Sequence, residues 1–318
     1  MAAPIDVVIV TYEGYEMTAE CLRHLERQTI EHNLIVVDNG SRDGTYARLR
    51  AEWPHAHVER FEENHGFPEA CNRGVAAGAG EIVVPMNNDV VCEPDFLERL
   101  AAPLDDPAVG SSASLLLQPG GALIDSVGMT ADAVLAGYPR LHGLPVAHAH
   151  DPYPVLTGPM ATAGAYRRVA WEQANGLDET IFAYTEDLDL NLRMRSAGWR
   201  CALAIDAVGV HLGSATHGHR SARQRRYAGY GRGYMVRRYG LLSSPQTAVR
   251  TLSTEAVVVL GDLAISHDAA ALRGRLKGWT AGRRRPRHPR PPAAALDLGI
   301  GFIDSLSLRR GVYAKRAR

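Results

Sequence analysis

Residues 33–44 read NLIVVDNGSRDG, in which Leu34, Ile35, Val36 and Val37 run unbroken into an aspartate and a Gly/Asn/Ser turn. A strand wetted on one face alternates apolar and polar side chains, whereas a continuous β-branched run marks a strand covered on both faces. Residues 6–11 (DVVIVT) and 81–86 (EIVVPM) repeat the pattern. Residues 17–28, with Cys21, Leu22 and Leu25 on one face, and residues 45–53 and 68–77 read as helices, and residues 57–61 as a further strand. Strand and helix alternating through short connections predict an α/β domain with a largely parallel sheet. Each strand exits into polar residues: Thr11, Tyr12 and Glu13; Asp38, Asn39 and Gly40; Glu63, Asn64, His65 and Gly66; Asn87, Asn88 and Asp89. Open α/β sheets bind ligands beyond the carboxyl ends of their strands, so these loops are expected to share one rim and one site.

The 318 residues carry 35 acidic and 35 basic side chains, unevenly placed. Residues 1–200 hold 29 acids and 14 bases, whereas residues 201–318 hold 6 acids and 21 bases. A basic rear behind an acidic front faces something anionic or is a solvated tail. Composition shifts in the same region: residues 222–239 are rich in Arg and Tyr, residues 251–279 contain amphipathic stretches, and residues 282–292 (GRRRPRHPRPP) read as a Pro/Arg-rich linker. The expected division is an α/β domain over residues 1–215 and a mainly helical, basic extension over residues 216–318. Cys21, Cys71, Cys92 and Cys201 are scattered without a CxxC pair, as buried thiols of a reducing compartment would be. No charged and apolar leader precedes the first strand, and the longest apolar run, near residues 256–265, is interrupted by Gly261 and Asp262. It falls short of the roughly 18 residues that span a bilayer, so a cytoplasmic protein is expected.

Three constellations could carry chemistry. Asn87, Asn88 and Asp89 follow a buried strand, where a carboxylate with oxygen-donating neighbours suits a hard divalent cation bridging phosphates; such turns also form for backbone reasons alone. Residues 185–197 predict a helix with Thr185 as N-cap and Glu186, Asp187 and Asp189 at the positive end of its dipole. A carboxylate held ionised there can accept a proton from an attacking hydroxyl, or can simply complement the helix start. His211 ends the strand-like run 204–210, as a metal ligand or as a structural histidine.

In order along the chain, VVIVTY (7–12), IVVDNGSRDGT (35–45), NHGF (64–67) with Asn72 and Gly74 after it, NNDV (87–90), and TEDLDLNLR (185–193) with Gly198 after it resemble the family 2 glycosyltransferases. Within that family the match is to bacterial rhamnosyltransferase-type enzymes, over residues 5 to about 215, and the segments VVVLGDL (257–263) and LRGRLKGW (272–279) are similar to that subgroup's C-terminal extension. The resemblance implies a GT-A nucleotide-diphospho-sugar transferase fold, Rossmann-like, with a mostly parallel mixed sheet and a helical C-terminal extension. It implies inverting transfer of a sugar, rhamnose being the first choice, from a dTDP- or UDP-sugar to a glycan or lipid-linked glycan acceptor. It further implies that Thr11, Tyr12 and Glu13 line the nucleoside pocket, Asp38 accepts the N3–H of a uracil or thymine, Asp43 and Asn64 sit near base and ribose, and Asn72 closes that wall. Asn88 would approach the sugar or ribose, Asp89 and His211 would bind Mg2+ or Mn2+, Asp187 would be the general base, and Glu186 would contact acceptor or donor. The usual D-x-D is Asn87-Asn88-Asp89 here, so metal affinity without nucleotide is expected to be low.

Other classes fit less well. A sugar nucleotidyltransferase would carry a Gly-rich, Arg/Lys-containing loop after the first strand, and a dinucleotide oxidoreductase would carry GxGxxG; residues 11–15 (TYEGY) are neither. A non-catalytic sugar-nucleotide or glycan-binding module would be expected to lack Asp187 or Asp89, and both are present. No folded nucleic-acid recognition motif accompanies the basic rear, so an anionic membrane surface is its expected partner, with the protein peripheral at the inner face of the cell membrane. A homo-oligomer is compatible with this pattern.

Overall fold

The computed structural model describes residues 4–213 and 221–309. Strands β1 (Ile5–Thr11), β2 (His32–Asn39), β3 (His57–Phe61) and β4 (Ile82–Asn87) alternate with helices α1 (Tyr15–Leu25), α2 (Thr45–Glu52) and α3 (Phe67–Ala77). β1 pairs in parallel with β2 and β4, and β2 with β3. Ile5, Val7 and Ile9 of β1 join a core with Leu22 and Leu25 of α1 and with Phe96, Leu97 and Leu100 of α4 (Phe96–Ala101). Val8 joins Cys71 and Val75 of α3 in a separate core. Both faces are dry, which is why these strands show no apolar/polar alternation.

The region between residues 100 and 160, which no periodicity resolves, supplies two further strands of the sheet, and segments on either side of it complete the sheet. β5 (Val90–Cys92), β6 (Val109–Leu117) and β7 (Ile124–Val127) precede a small hairpin, β8 (Met129–Ala131) and β9 (Gly137–Pro139), and then β10 (Gly164–Arg167) and β11 (Arg200–His211). The nine-stranded sheet has the order β3-β2-β1-β4-β10-β6-β11-β5, with β7 paired to β6. β10 is antiparallel to β4 and β6 while β11 is parallel to β6, so the sheet is mixed and mostly parallel. α5 (Arg168–Gln173) and α6 (Glu186–Ser196) contribute Trp171, Leu190 and Met194 to the α3-side core.

The rear is helical: α7 (Ala222–Arg238), α8 (Pro245–Ser266), α9 (Ala270–Gly282) and α10 (Phe302–Leu308). α7 and α9 pack backbone to backbone. A Cβ added at Gly278 would overlap the Tyr230 carbonyl oxygen and lie 2.9 Å from the Tyr234 nitrogen. Glycine inside a helix costs about 1 kcal/mol relative to alanine, so this close approach is what its presence serves. α7 also brings Met235 and Val236 into one core with Leu188 and Leu192 of α6. The Pro/Arg-rich stretch is irregular but laid along α7 and α8: the His288 N–H donates to the Arg238 carbonyl (2.8 Å), Arg287 to Ser243 Oγ (2.8 Å) and Arg290 to Thr247 Oγ1 (3.1 Å). The expected boundary near residue 215 lies outside the described residues. Among the described residues, no helix is long and apolar enough to cross a membrane.

Candidate active site

Beyond the carboxyl ends of β1 and β4 lies a cleft of about 1150 Å³, whose walls include Tyr12, Glu13, Asn64, Asn88, Asp89, Glu186, Asp187 and His211. Eight of the residues singled out by sequence therefore share one cavity. A second cavity of about 830 Å³ lies at the other end of the strands, lined by Asp6, His32, Asn33 and Gly78. There Asp6 is already satisfied by Arg168 (2.6 Å) and the Gly80 N–H (2.7 Å).

Four expected site residues, Thr11, Asp43, Asn72 and Asp38, are not among those lining the cleft. Thr11 is buried, and its Oγ1 lies 2.8 Å from Thr18 Oγ1 while accepting from Asn88 Nδ2 (3.3 Å). Asp43 accepts from the N–H groups of Gly14 (2.9 Å) and Thr45 (3.0 Å), which ties the β1–α1 loop to the start of α2. Burial would raise its carboxyl, but these hydrogen bonds hold it below the usual range. Asn72 is spent on Leu177: its Nδ2 donates to that carbonyl (2.8 Å) and its Oδ1 accepts from that N–H (3.0 Å). Asp38 is fully buried; Oδ1 accepts from the Ser41 N–H (3.1 Å), and Oδ2 has no hydrogen-bond partner, with Arg60 Nε 3.8 Å away. Thr11 and Asn72 are thus held by hydrogen bonds within the protein, and Asp43, which is exposed, ties two rim loops together.

Elsewhere on the cleft wall, Asp89 and His211 are brought together by strand pairing. β5 and β11 run antiparallel with His211 in register with Val90, and His211 Nε2 lies 3.3 Å from Asp89 Oδ2. The other ring nitrogen, Nδ1, lies 3.0 Å from Asp125 Oδ2. Burial alone would lower the imidazole's pKa, but hydrogen bonds to Asp125 and Asp89 raise it to about 10. Asp178, Asp189 and His288 form another cluster of metal-binding groups. Its charge is already balanced within the protein: Arg193 Nε meets Asp189 at 2.8 Å, Arg238 approaches Asp178 at 3.9 Å, and the Tyr234 hydroxyl donates to Asp178. Burial pushes His288 down to about 4, which leaves this cluster as the join between α6 and the extension.

The third wall is the start of α6. Tyr184 (φ 67°) and Thr185 (φ 75°) are consecutive non-glycine residues in the left-handed region, a costly turn that places Glu186 and Asp187 at the helix mouth. Thr185 makes no side-chain cap bond, contrary to the sequence expectation, because this backbone turns its hydroxyl toward α7, where it would meet a Cβ at Gly231. Asp187 Oδ2 accepts from the Ala161 N–H (3.1 Å), and Oδ1 from the Leu188 N–H (2.7 Å). Glu186 Oε2 is buried with no hydrogen-bond partner. Burial raises both carboxyls above the usual range, and Asp187 adds to the effect on Glu186. The helix dipole was expected to keep this site ionised, but desolvation outweighs it, and the pair retains a proton that isolated carboxylates would lose.

A stability prediction follows with definite sign. The unfolded chain releases that proton near the ordinary carboxylate value of about 4.3, whereas the folded protein keeps it to higher pH. The native state then binds more protons than the unfolded state, so stability falls as pH rises above that value. Glu186→Gln should flatten the fall. Thermal unfolding at several pH values checks this, and a slope unchanged in the variant would show that the retained proton lies elsewhere.

Residues 6–125 match the family described as Glycosyl transferase family 2. That stretch is similar to a family 2 glycosyltransferase domain. The N-acetylglucosaminyl-diphospho-decaprenol L-rhamnosyltransferase of Mycobacterium tuberculosis is 27% identical over 235 residues, covering 66% of this chain and 76% of that one. The O-antigen biosynthesis protein of Myxococcus xanthus is 28% identical over 194 residues, or 58% of this chain. The chain spans only 15% of that protein's length and 26% of a further long relative's. A mannosyltransferase of Pyrobaculum calidifontis, solved with GDP-Man and Mn2+, shares the fold at a TM-score of 0.58 and 17% identity, over 98% of this chain and 86% of that one.

Three features of the cleft escape sequence reading. Asp125, which holds His211, is the residue skipped by an irregularity in the β6–β7 ladder, where Leu116 pairs with Ser126 and Leu117 with Ile124. Bulges of this kind re-aim a side chain beside a site, and a single Asp between Ile124 and Ser126 gives no sign of it. Gln224 reaches the cleft from α7, so the extension contributes to the wall. Tyr138 lines the cleft from β9 and is fixed from behind by Ser305 of α10 (2.7 Å).

Proposed function

We propose that the protein transfers a sugar from a pyrimidine nucleoside-diphosphate donor to a hydroxyl of a glycan or lipid-linked glycan, with inversion at the anomeric carbon. The observation that carries this reading is the Glu186–Asp187 pair sharing one cleft with Asp89 and His211. Asp187 is the general base: it takes the proton of the acceptor hydroxyl as that oxygen bonds to the anomeric carbon, and the bond to the diphosphate breaks on the opposite face. Two backbone N–H groups hold its oxygens in place. Glu186 beside it carries the retained proton and contacts donor or acceptor. A carboxylate and an imidazole 3.3 Å apart suit a divalent ion, and Asp125 would orient the ring once Nε2 gives up its proton. Mg2+ or Mn2+ bound there supplies positive charge to the leaving diphosphate.

Support for a uracil or thymine donor is Asp38 Oδ2, which has Arg60 at 3.8 Å but accepts no hydrogen bond and so remains an acceptor suited to the N3–H. Rhamnose and a lipid-linked acceptor take their support from the name of the mycobacterial relative. The test is a thermal-shift panel of dTDP, UDP and GDP with and without Mn2+. Ligand at about 100 times its Kd adds roughly 2.7 kcal/mol, so dTDP or UDP should stabilise the protein with Mn2+ and GDP should not. Asp89→Ala should abolish most of the Mn2+-dependent part and His211→Ala a smaller share. Equal stabilisation by GDP would overturn the base assignment, and full transfer activity in chelator would overturn the metal.

A further inference from the structure

α8 presents its polar side to the protein and its apolar side to solvent. Its buried residues are Thr251 and Thr254. Between them and α7 and α9, Glu255 is ion-paired with Arg232 (2.6 Å), Arg275 (2.8 Å) and Arg309 (3.4 Å). These partners hold its carboxyl down to about 2 against the effect of burial, so this face is anchored by charge. Val249, Leu252, Val257, Leu260 and Ile265 are 43% to 73% exposed. Val249, Leu252, Ala256 and Leu260 recur at three- and four-residue spacing, which places them on one side of the helix; Val257 flanks that side, and Ile265 in the last turn lies off it. Large apolar side chains gathered on one exposed face mark an interaction surface.

The charges nearby indicate what covers it. On α9, exposed Leu276 stands between exposed Arg273 and Lys277, and exposed Arg283, Arg284 and Arg285 follow. Across residues 245–309 the exposed charged residues are all basic, while the acids are buried or half-buried and Asp268 is paired with Arg225. A symmetric pairing of two copies through this face would set arginines against arginines. Anionic lipid headgroups are the complement, and with no helix able to cross a bilayer among the described residues, the helix would lie in the interfacial plane.

We propose that α8 and α9 dock the protein on an anionic bilayer, with the apolar face of α8 in the interface and the arginines of the rear against the headgroups. No cleft residue takes part, so this stands apart from the transferase reading. The test is co-sedimentation of the full chain with phosphatidylglycerol-containing vesicles and with pure phosphatidylcholine vesicles. Binding should be at least tenfold stronger to the anionic vesicles and should weaken severalfold from low to high salt. Leu252→Ser/Leu260→Ser should lose at least tenfold in binding, and Arg273→Glu/Lys277→Glu should abolish the preference for anionic vesicles. Both double variants change exposed residues, and unchanged thermal unfolding with undiminished nucleotide stabilisation would confirm that fold and cleft are intact. The proposal is overturned if the full chain ignores anionic vesicles at low salt, or if the serine variant binds as the parent does. It is equally overturned if light scattering shows a dimer that the serine variant dissociates while vesicles are ignored, since a second copy then covers the face.

Discussion

Asp187→Asn should lower turnover by about 10²–10⁴-fold while leaving donor binding in place. The substitution keeps size and preserves an oxygen for the Ala161 N–H, so the mouth of α6 holds its shape. What it removes is the capacity to take a proton. Because burial also raises Asp187's own carboxyl above the usual range, the parent enzyme's turnover should rise with pH as Asp187 itself gives up its proton, and the variant should lack that rise. Product formation at saturating donor, measured across pH, checks both points, with nucleotide-induced thermal shift as the control for binding. A loss below tenfold would assign the base elsewhere.

Gly231→Ala should cost about 10²-fold in turnover without touching a ligand. Two effects oppose each other. Helix propensity favours alanine by about 1 kcal/mol, so at a free position the change would stabilise α7. Here the new Cβ would overlap Thr185 Oγ1 and lie 2.7 Å from the Tyr184 carbonyl oxygen. A backbone oxygen cannot swing aside as a flexible side chain can, so either α7 or the Tyr184–Thr185 turn must move. That turn sets the position of Glu186 and Asp187, and misplacement by about 1 Å costs on the order of 10²-fold. Gly231 is therefore a positioning residue, and the loss should fall on kcat with KM for donor little changed. Full activity together with raised thermal stability would show that the turn does not depend on α7.

The amino-acid sequence by itself determined the α/β alternation, because strands dry on both faces must be apolar throughout and helices dry on one face must repeat every three to four residues. Residues 33–38 and 81–86 lie within one residue of β2 and β4. It also determined that the polar strand ends form one rim, since parallel strands point their carboxyl ends the same way. Such patterns record that a face is covered, not by what. Tertiary structure decided that His211 meets Asp89, through the register of β11 on β5, and that Asp125 is the third member, through an irregular ladder. It decided that Asn72 and Asp43 tie loops together, because a hydrogen-bond partner far away in sequence leaves no local trace. It reversed the expected ionisation at α6, where dipole is local but desolvation depends on everything packed around it. The orientation of α8 was likewise invisible, because its composition allows either face inward; the choice fell to Arg232, Arg275 and Arg309, which draw Glu255 in and leave the apolar face out.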